Sequence, residues 1–232
     1  MPKSATVFVT KALEQSAGLT GYTISEPGPF PPEIEARALW HVRDTPNLMG
    51  TTHAPGVARN TRLLREAGID RVVVLFRDPR DAMVSWWHHL ERPDVRSWGW
   101  HLALMVAEGI VPPNYYELPR DAQIATLSEN FLPRLVDFVH SWIRSSEIGI
   151  LPIAYETFVT DPAASVRRIL DLHDVEYDEV VLPAVNNDGN PENIDLGTHY
   201  RRGAAGSHRD ELTPQEQERI AWAQLTVPAA AG

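Results

Sequence analysis

Apolar positions in this chain fall either into short unbroken runs or into longer stretches repeating every three to four residues, divided by polar turns bearing proline and glycine. Arg71-Val72-Val73-Val74-Leu75-Phe76 is the clearest strand, a β-branched run of the kind buried in a parallel sheet covered on both faces. Gly149-Ile150-Leu151-Pro152-Ile153-Ala154-Tyr155 reads as a second buried strand, and Asn47-Leu48-Met49-Gly50-Thr51-Thr52 as a short one ended by His53-Ala54-Pro55-Gly56. Helical spacing follows over residues 57–67, stopped by Gly68, then over 82–89, around 98–108, over 122–145, and over 161–173 with Asp161 as N-cap and Pro162 in its first position. Thr6 to Leu13 suits a helix by its apolar spacing and a strand by its β-branching. Pro27 to Pro31 forms a turn before a helix start at Pro32-Glu33-Ile34-Glu35. Residues 186–210 turn polar, and Thr213-Pro214-Gln215-Glu216 opens a last helix with a capping-box pattern. Strands alternating with helices predict an α/β fold with a central parallel sheet.

Composition narrows the chemistry. The 232 residues are 43% hydrophobic and 22% charged, enough to bury a full core, and no linker or repeat divides them, so one domain over 1–232 is expected. The absence of cysteine excludes disulfides, Cys-ligated metals and a thiol nucleophile. No apolar run approaches the ~20 residues of a membrane span, and the N-terminus lacks a signal-peptide apolar region, so cytoplasmic residence is the expectation. A net charge of −10 argues against a broad nucleic-acid face and makes any anion site local. Only Lys3 and Lys11 among the 21 basic residues are lysines, which a coding bias explains as well as function does.

In open parallel sheets ligands bind beyond the carboxyl ends of the strands, where helix N-termini present N–H groups to anions. Three segments suit such a place: Pro2-Lys3-Ser4-Ala5-Thr6, Arg77-Asp78-Pro79-Arg80-Asp81 leading to Ser85, and Tyr200-Arg201-Arg202-Gly203-Ala204-Ala205-Gly206. His88-His89 with His101 match no zinc spacing, and no metal is expected.

The order of these segments resembles the sulfotransferases that use 3′-phosphoadenosine-5′-phosphosulfate (PAPS). Pro2-Lys3-Ser4-Ala5-Thr6 is similar to their PKSGT loop, which holds the 5′-phosphosulfate. Arg77 and Ser85, eight residues apart, match the arginine and serine that grip the 3′-phosphate, and the stretch from Tyr200 to Gly206 is similar to the late RKGxxG loop that closes over it, with Arg201, Arg202 and Gly203 in the matching places. Thr51-Thr52-His53-Ala54-Pro55 resembles the THLP-type turn whose histidine is the catalytic base of the hydroxyl-sulfating branch. Tyr155-Glu156-Thr157-Phe158 resembles the YEDL segment whose tyrosine lies near the adenine. The resemblance spans nearly the whole chain. It implies a three-layer α/β/α fold and in-line transfer of a sulfuryl group from PAPS to a hydroxyl of a small-molecule or carbohydrate acceptor, with His53 as general base and Lys3 stabilising the leaving phosphate.

Physical chemistry suits that assignment. PAPS carries charge at two separated clusters, arginine forks meet a terminal phosphate with paired donors, and an imidazole near its ordinary pKa of ~6.5 is matched to taking a hydroxyl proton at neutral pH. Asp81 reads as a capping or orienting residue; Trp86, Trp87, Trp98 and Trp100 read mostly as core, and residues 94–120 as an acceptor wall or a surface helical insertion.

Two departures bear on function. Ala5 stands where the family has glycine, and the family places a strand immediately before this loop, which here opens the sequence; truncation, replacement by another segment, or a poorly held loop are the open arrangements. They motivate the alternative of a catalytically impaired PAPS- or nucleotide-binding protein. A P-loop kinase is disfavoured because no G-x-x-x-x-G-K-[ST] motif occurs. The late loop continues Gly206-Ser207-His208-Arg209 rather than Gly-Asp-Trp-Lys, so the acceptor class of the cytosolic branch does not carry over, and no dimerisation signature appears in 221–232.

Overall fold

A computed structural model describes residues 1–25, 31–184 and 205–221. Four short strands carry the architecture: β1 (Thr20–Thr23), β2 (Leu48–Thr51), β3 (Arg71–Phe76) and β4 (Gly149–Ala154). β1 and β2 pair in parallel with Thr20 opposite Leu48, and β3 and β4 pair in parallel with Arg71 opposite Gly149 and Phe76 opposite Ala154. The expected parallel sheet is therefore present in two halves. Pro152, which has no N–H to give a ladder, sits exposed on β4, whose partner among the described residues is β3 alone.

Twelve α-helices among the described residues surround these strands. They are α1 (Thr6–Ala17), α2 (Ala36–Asp44), α3 (Ala58–Glu66), α4 (Pro79–Leu90), α5 (Pro93–Arg96), α6 (Gly99–Ala107), α7 (Arg120–Asn130), α8 (Leu132–Ile143), α9 (Tyr155–Thr160), α10 (Pro162–Leu172), α11 (Ser207–Glu211) and α12 (Pro214–Ala221). The period of two in β3 decides the layering. Val72, Val74 and Phe76 pack into one core with Leu39, Leu64, Met83, Leu135 and Trp142 from α2, α3, α4 and α8. Val73 and Leu75 face the opposite core, built from Val9 and Leu13 of α1 and Val166, Ile169 and Leu170 of α10. A strand whose alternate side chains enter two helical layers is the middle of a three-layer α/β/α fold, as the unbroken apolar run of β3 requires.

Local signals explain most boundaries. Asp161 caps α10, its carboxylate accepting from Ala164 N at 2.9 Å. The α12 capping box forms in both directions: Thr213 N donates to Glu216 Oε2 at 2.7 Å and Glu216 N to Thr213 Oγ1 at 3.2 Å. Thr6 to Leu13 is helical. The single helix expected over 122–145 is instead α7 and α8, because Pro133 in the second position of α8 has no N–H and its ring clashes with the preceding turn's carbonyl. The helix expected from Pro32 begins a turn later, since Ile34 is taken up in an antiparallel bridge with Ser25 and donates its N–H to Asn60 Oδ1. The turn expected at Pro27 to Pro31 lies almost wholly outside the described residues.

Between the facing edges of β2 and β3 lies a cavity of about 490 Å³. Met49 and Thr51 line one side and Val73 and Leu75 the other, with Leu13 of α1 and Trp142 of α8 on its two faces. Met1 stands at one end, buried, with its amine donating to Leu75 O at 2.8 Å.

Candidate active site

The bond from the Met1 amine to Leu75 brings the opening loop to the carboxyl end of β3. Burial pushes that amine down to about pKa 4. The loop curls ahead of α1 with Lys3 at φ 61° and Ala5 at φ 65°, both left-handed. Ala5 is the N-cap of α1, supplies no side-chain cap, and accepts from Val9 N at 2.9 Å. Ser4 is buried, its hydroxyl 3.5 Å from Pro2 O, and Thr6 is the first helical residue. A helix start leaves its first N–H groups without intrahelical acceptors, so this loop and α1 present donors where an anion is favoured. Lys3 Nζ lies 5.8 Å from the ring centre of Trp86 on α4, so its charge is held at this end of the sheet.

His53 leaves β2 by a tightly braced turn. Ala54 N donates to Thr52 Oγ1 at 2.9 Å, Trp142 Nε1 to Ala54 O at 3.1 Å, and Gly56 N to Ser141 Oγ at 2.9 Å. Glycine is required at position 56, where a Cβ would stand 2.8 Å from the Cα of Trp142. Burial, then the Met1 amine and the Lys3 charge, lower the His53 pKa to about 3, so the ring is neutral at physiological pH. Its Nδ1 is enclosed and makes no hydrogen bond with protein. The electrostatic influence of Lys3 on His53 places the two in one neighbourhood.

Arg77 follows β3 directly and is 6% exposed. Its guanidinium lies 4.1 Å from the ring centre of Tyr155, the residue that follows β4, and its Nη2 is 3.7 Å from Asp81 Oδ2. One face of Tyr155 is thereby covered by arginine. Asp78 caps α4 by accepting from Arg80 N at 2.9 Å, while Asp78 N donates to Glu156 Oε1 at 3.1 Å, joining the ends of β3 and β4. Ser85 lies two turns into α4, half-buried.

Asp81 turned out to bind more than an orienting residue normally does. Fully buried, it accepts from Gly206 N at 2.6 Å, His208 N at 2.8 Å and His208 Nδ1 at 2.7 Å, with Ser207 Oγ at 3.3 Å. Sequence reasoning missed His208; the one available signal was a buried-type acid four residues after an arginine, which demands donors from elsewhere. Arg201, Arg202 and Gly203 lie outside the described residues.

The other aromatic and histidine residues divide. Trp86 stacks on Phe131 with ring centres 5.2 Å apart, and Trp87 Nε1 donates to Gln123 Oε1 at 2.8 Å. Trp98 and Trp100, two of the four tryptophans read mostly as core, are 39% and 65% exposed and stack on each other, because α5 and α6 lie at the surface. His88 pairs with Glu211. Among the described residues no cluster of three metal-ligating side chains forms and no helix is long and apolar enough to cross a membrane.

The arrangement thus has two parts at the carboxyl ends of the strands: Lys3, the start of α1 and His53 in one, Arg77, Tyr155 and Asp81 in the other. It suits a ligand with two separated anionic groups. The fold is similar to that of the mouse sulfotransferase SULT7A1 complexed with PAP, with a TM-score of 0.56 and 17% identity over 97% of this chain and 79% of that one. No curated protein matches significantly. The sequence profile of the sulfotransferase domain matches residues 69–223, from just before β3 through the segment bound by Asp81. The chain belongs to the sulfotransferase domain family.

Proposed function

We propose that this protein moves the sulfuryl group of PAPS to a hydroxyl of a small-molecule or carbohydrate acceptor. The observation that carries the reading is the pair of cationic places flanking one strand end, Lys3 with the start of α1 on one side and the buried Arg77 on the other. Two anionic ends of a nucleoside bisphosphate fit that separation of charge. Lys3, Ser4, Ala5 and Thr6 hold the 5′ end, Arg77 and Ser85 hold the 3′ end together with Arg201, Arg202 and Gly203, and Tyr155 lies near the adenine. PAPS supplies a sulfur already bonded to a good leaving group, so the protein's task is to orient, deprotonate and neutralise.

His53 takes the acceptor proton. Enclosure of Nδ1 assigns that role to Nε2. A base with a pKa near 3 is weak; burial is the main cause, and the anionic 5′ end of the donor offsets only the smaller part that the Lys3 charge contributes. Lys3 meets the charge that grows on the departing phosphate oxygen. Arg77, held over the Tyr155 ring, anchors the far end.

His53→Ala should bind adenosine 3′,5′-bisphosphate with wild-type affinity while transferring labelled sulfate about 10² to 10⁴-fold more slowly to a panel of alcohols, phenols and sugars. Near-full turnover by that variant removes His53 from the mechanism. A second reading, an impaired nucleotide-binding protein, is motivated by the left-handed alanine in the phosphosulfate loop. Binding of the bisphosphate without transfer to any acceptor in the panel decides for it.

A further inference from the structure

Asp81 carries a charge with no exposed surface. Burial alone pushes its carboxyl up, yet the bonds from His208 and Gly206 and the Arg77 charge hold it well below the usual carboxylate range. Its role is not to cap α4, since Asp78 does that by accepting from Arg80 N. Every hydrogen bond described above reaches from Asp81 to the segment Gly206–His208, more than 120 residues away in sequence. Its remaining partner is Arg77, with Nη2 to Oδ2 at 3.7 Å, beyond hydrogen-bond distance.

This division has a consequence for Arg77. A carboxylate that formed a fork with the guanidinium would compete with a phosphate for the same donors. Here both Asp81 oxygens are engaged by N–H and O–H groups from residues 206–208, so the carboxylate attracts Arg77 from a distance without closing on it. Tyr155 holds the guanidinium from another side, 4.1 Å from its ring centre.

The geometry points to Asp81 as a positioning residue that holds Arg77 for a terminal phosphate monoester, with His208 as the donor that keeps the Asp81 carboxylate from claiming Arg77 itself. This rests on the donor-binding reading above. The phosphate it serves is the 3′-phosphate of a nucleoside 3′,5′-bisphosphate.

Calorimetric titration with adenosine 3′,5′-bisphosphate and with adenosine 5′-monophosphate, which lacks the 3′-phosphate, separates positioning from bulk stability. Wild type is expected to prefer the bisphosphate. Asp81→Asn should lose about tenfold or more in bisphosphate affinity, with monophosphate affinity held within about threefold. His208→Leu, which removes the 2.7 Å donor while leaving the carboxylate, should lower bisphosphate affinity in the same selective way; His208→Asn, whose amide reaches the same place as Nδ1, should restore it. The His208 pair keeps the test decisive if Asp81→Asn does not fold. Equal losses for both nucleotides, or His208→Leu binding the bisphosphate like wild type, overturn the positioning role. A wild-type protein that does not distinguish the two nucleotides overturns the donor-binding reading itself, and is recognised before any variant is made.

Discussion

The two halves of the site stand at the end of the same strand and are held by opposite means. Around Arg77, the carboxylates are matched to partners, Asp81 to three residues, Asp78 to Arg80 and Glu156 to Asp78 N, and the guanidinium lies over an aromatic face. Around Lys3, the backbone bends through two left-handed non-glycine residues, a hydrogen bond from a buried amine anchors the loop, and the His53 Nδ1 is enclosed without a protein partner. That loop also borders the cavity between β2 and β3, so it leans on packing from fewer sides. A corner braced by engaged carboxylates binds at little reorganisation cost, whereas a loop bent through left-handed non-glycine residues carries backbone strain.

The largest expected difference is in donor binding. Arg77→Ala should weaken adenosine 3′,5′-bisphosphate by at least about 30-fold, because a buried charge pair loses one member. Lys3→Ala should weaken it by about tenfold or less while slowing transfer more than it weakens binding, since the role proposed for Lys3 is to meet charge that develops during the reaction. Titration calorimetry beside single-turnover rates checks both, and a larger binding loss at Lys3 reverses the comparison.

Acid stability comes next. The folded His53 pKa of about 3 lies below the 6.5 of an unfolded chain, so from pH 6.5 downward the unfolded state binds a proton that the folded state refuses. Stability is full above pH 6.5 and falls by about 1.4 kcal/mol per pH unit on acidification toward pH 3 from this group alone. Denaturant melts from pH 8 to 4.5 should be steeper in wild type than in His53→Gln by about 1.4 kcal/mol per pH unit below 6.5, the buried Met1 amine contributing a slope of its own to both; identical slopes would mean the ring titrates normally in the fold.

The smallest effect is the most local. Ala5→Gly removes a Cβ from a φ of 65° and should stabilise the fold by about 0.5–1 kcal/mol, the relief of left-handed strain being partly offset by the freer unfolded chain. Tighter binding of the bisphosphate should accompany it. A thermal melt in which this variant is less stable than wild type would show that the loop carries no such strain.

What sequence made legible follows the range of the forces involved. β3 was readable residue for residue, because the unbroken apolar run Val72 to Phe76, with three valines in succession, leaves few other structures available. The Asp161 and Thr213 caps were readable because capping acts over three residues. β1 was not anticipated: Thr20-Gly21-Tyr22-Thr23 has a glycine and little burial, and owes its conformation to pairing with β2. Within the site, the Arg77 to Ser85 segment and the Lys3 loop showed their residue types, and Ala5 marked in advance a position suited to glycine. The Asp81–His208 contact was invisible, since nothing local in either segment names a partner over a hundred residues away.

That contact also orders events during synthesis. When Arg77, Asp81 and Tyr155 have left the ribosome, residues 206–208 are still to come, and a buried Asp81 has none of the donors that stabilise its charge. A nascent chain at that stage therefore has a half-built corner around Arg77, which closes only when the segment bearing Gly206, Ser207 and His208 docks against α4. Contacts so distant along the chain form late in folding. On the proposed function, competence to bind the donor arrives with this closing step rather than with the formation of the sheet.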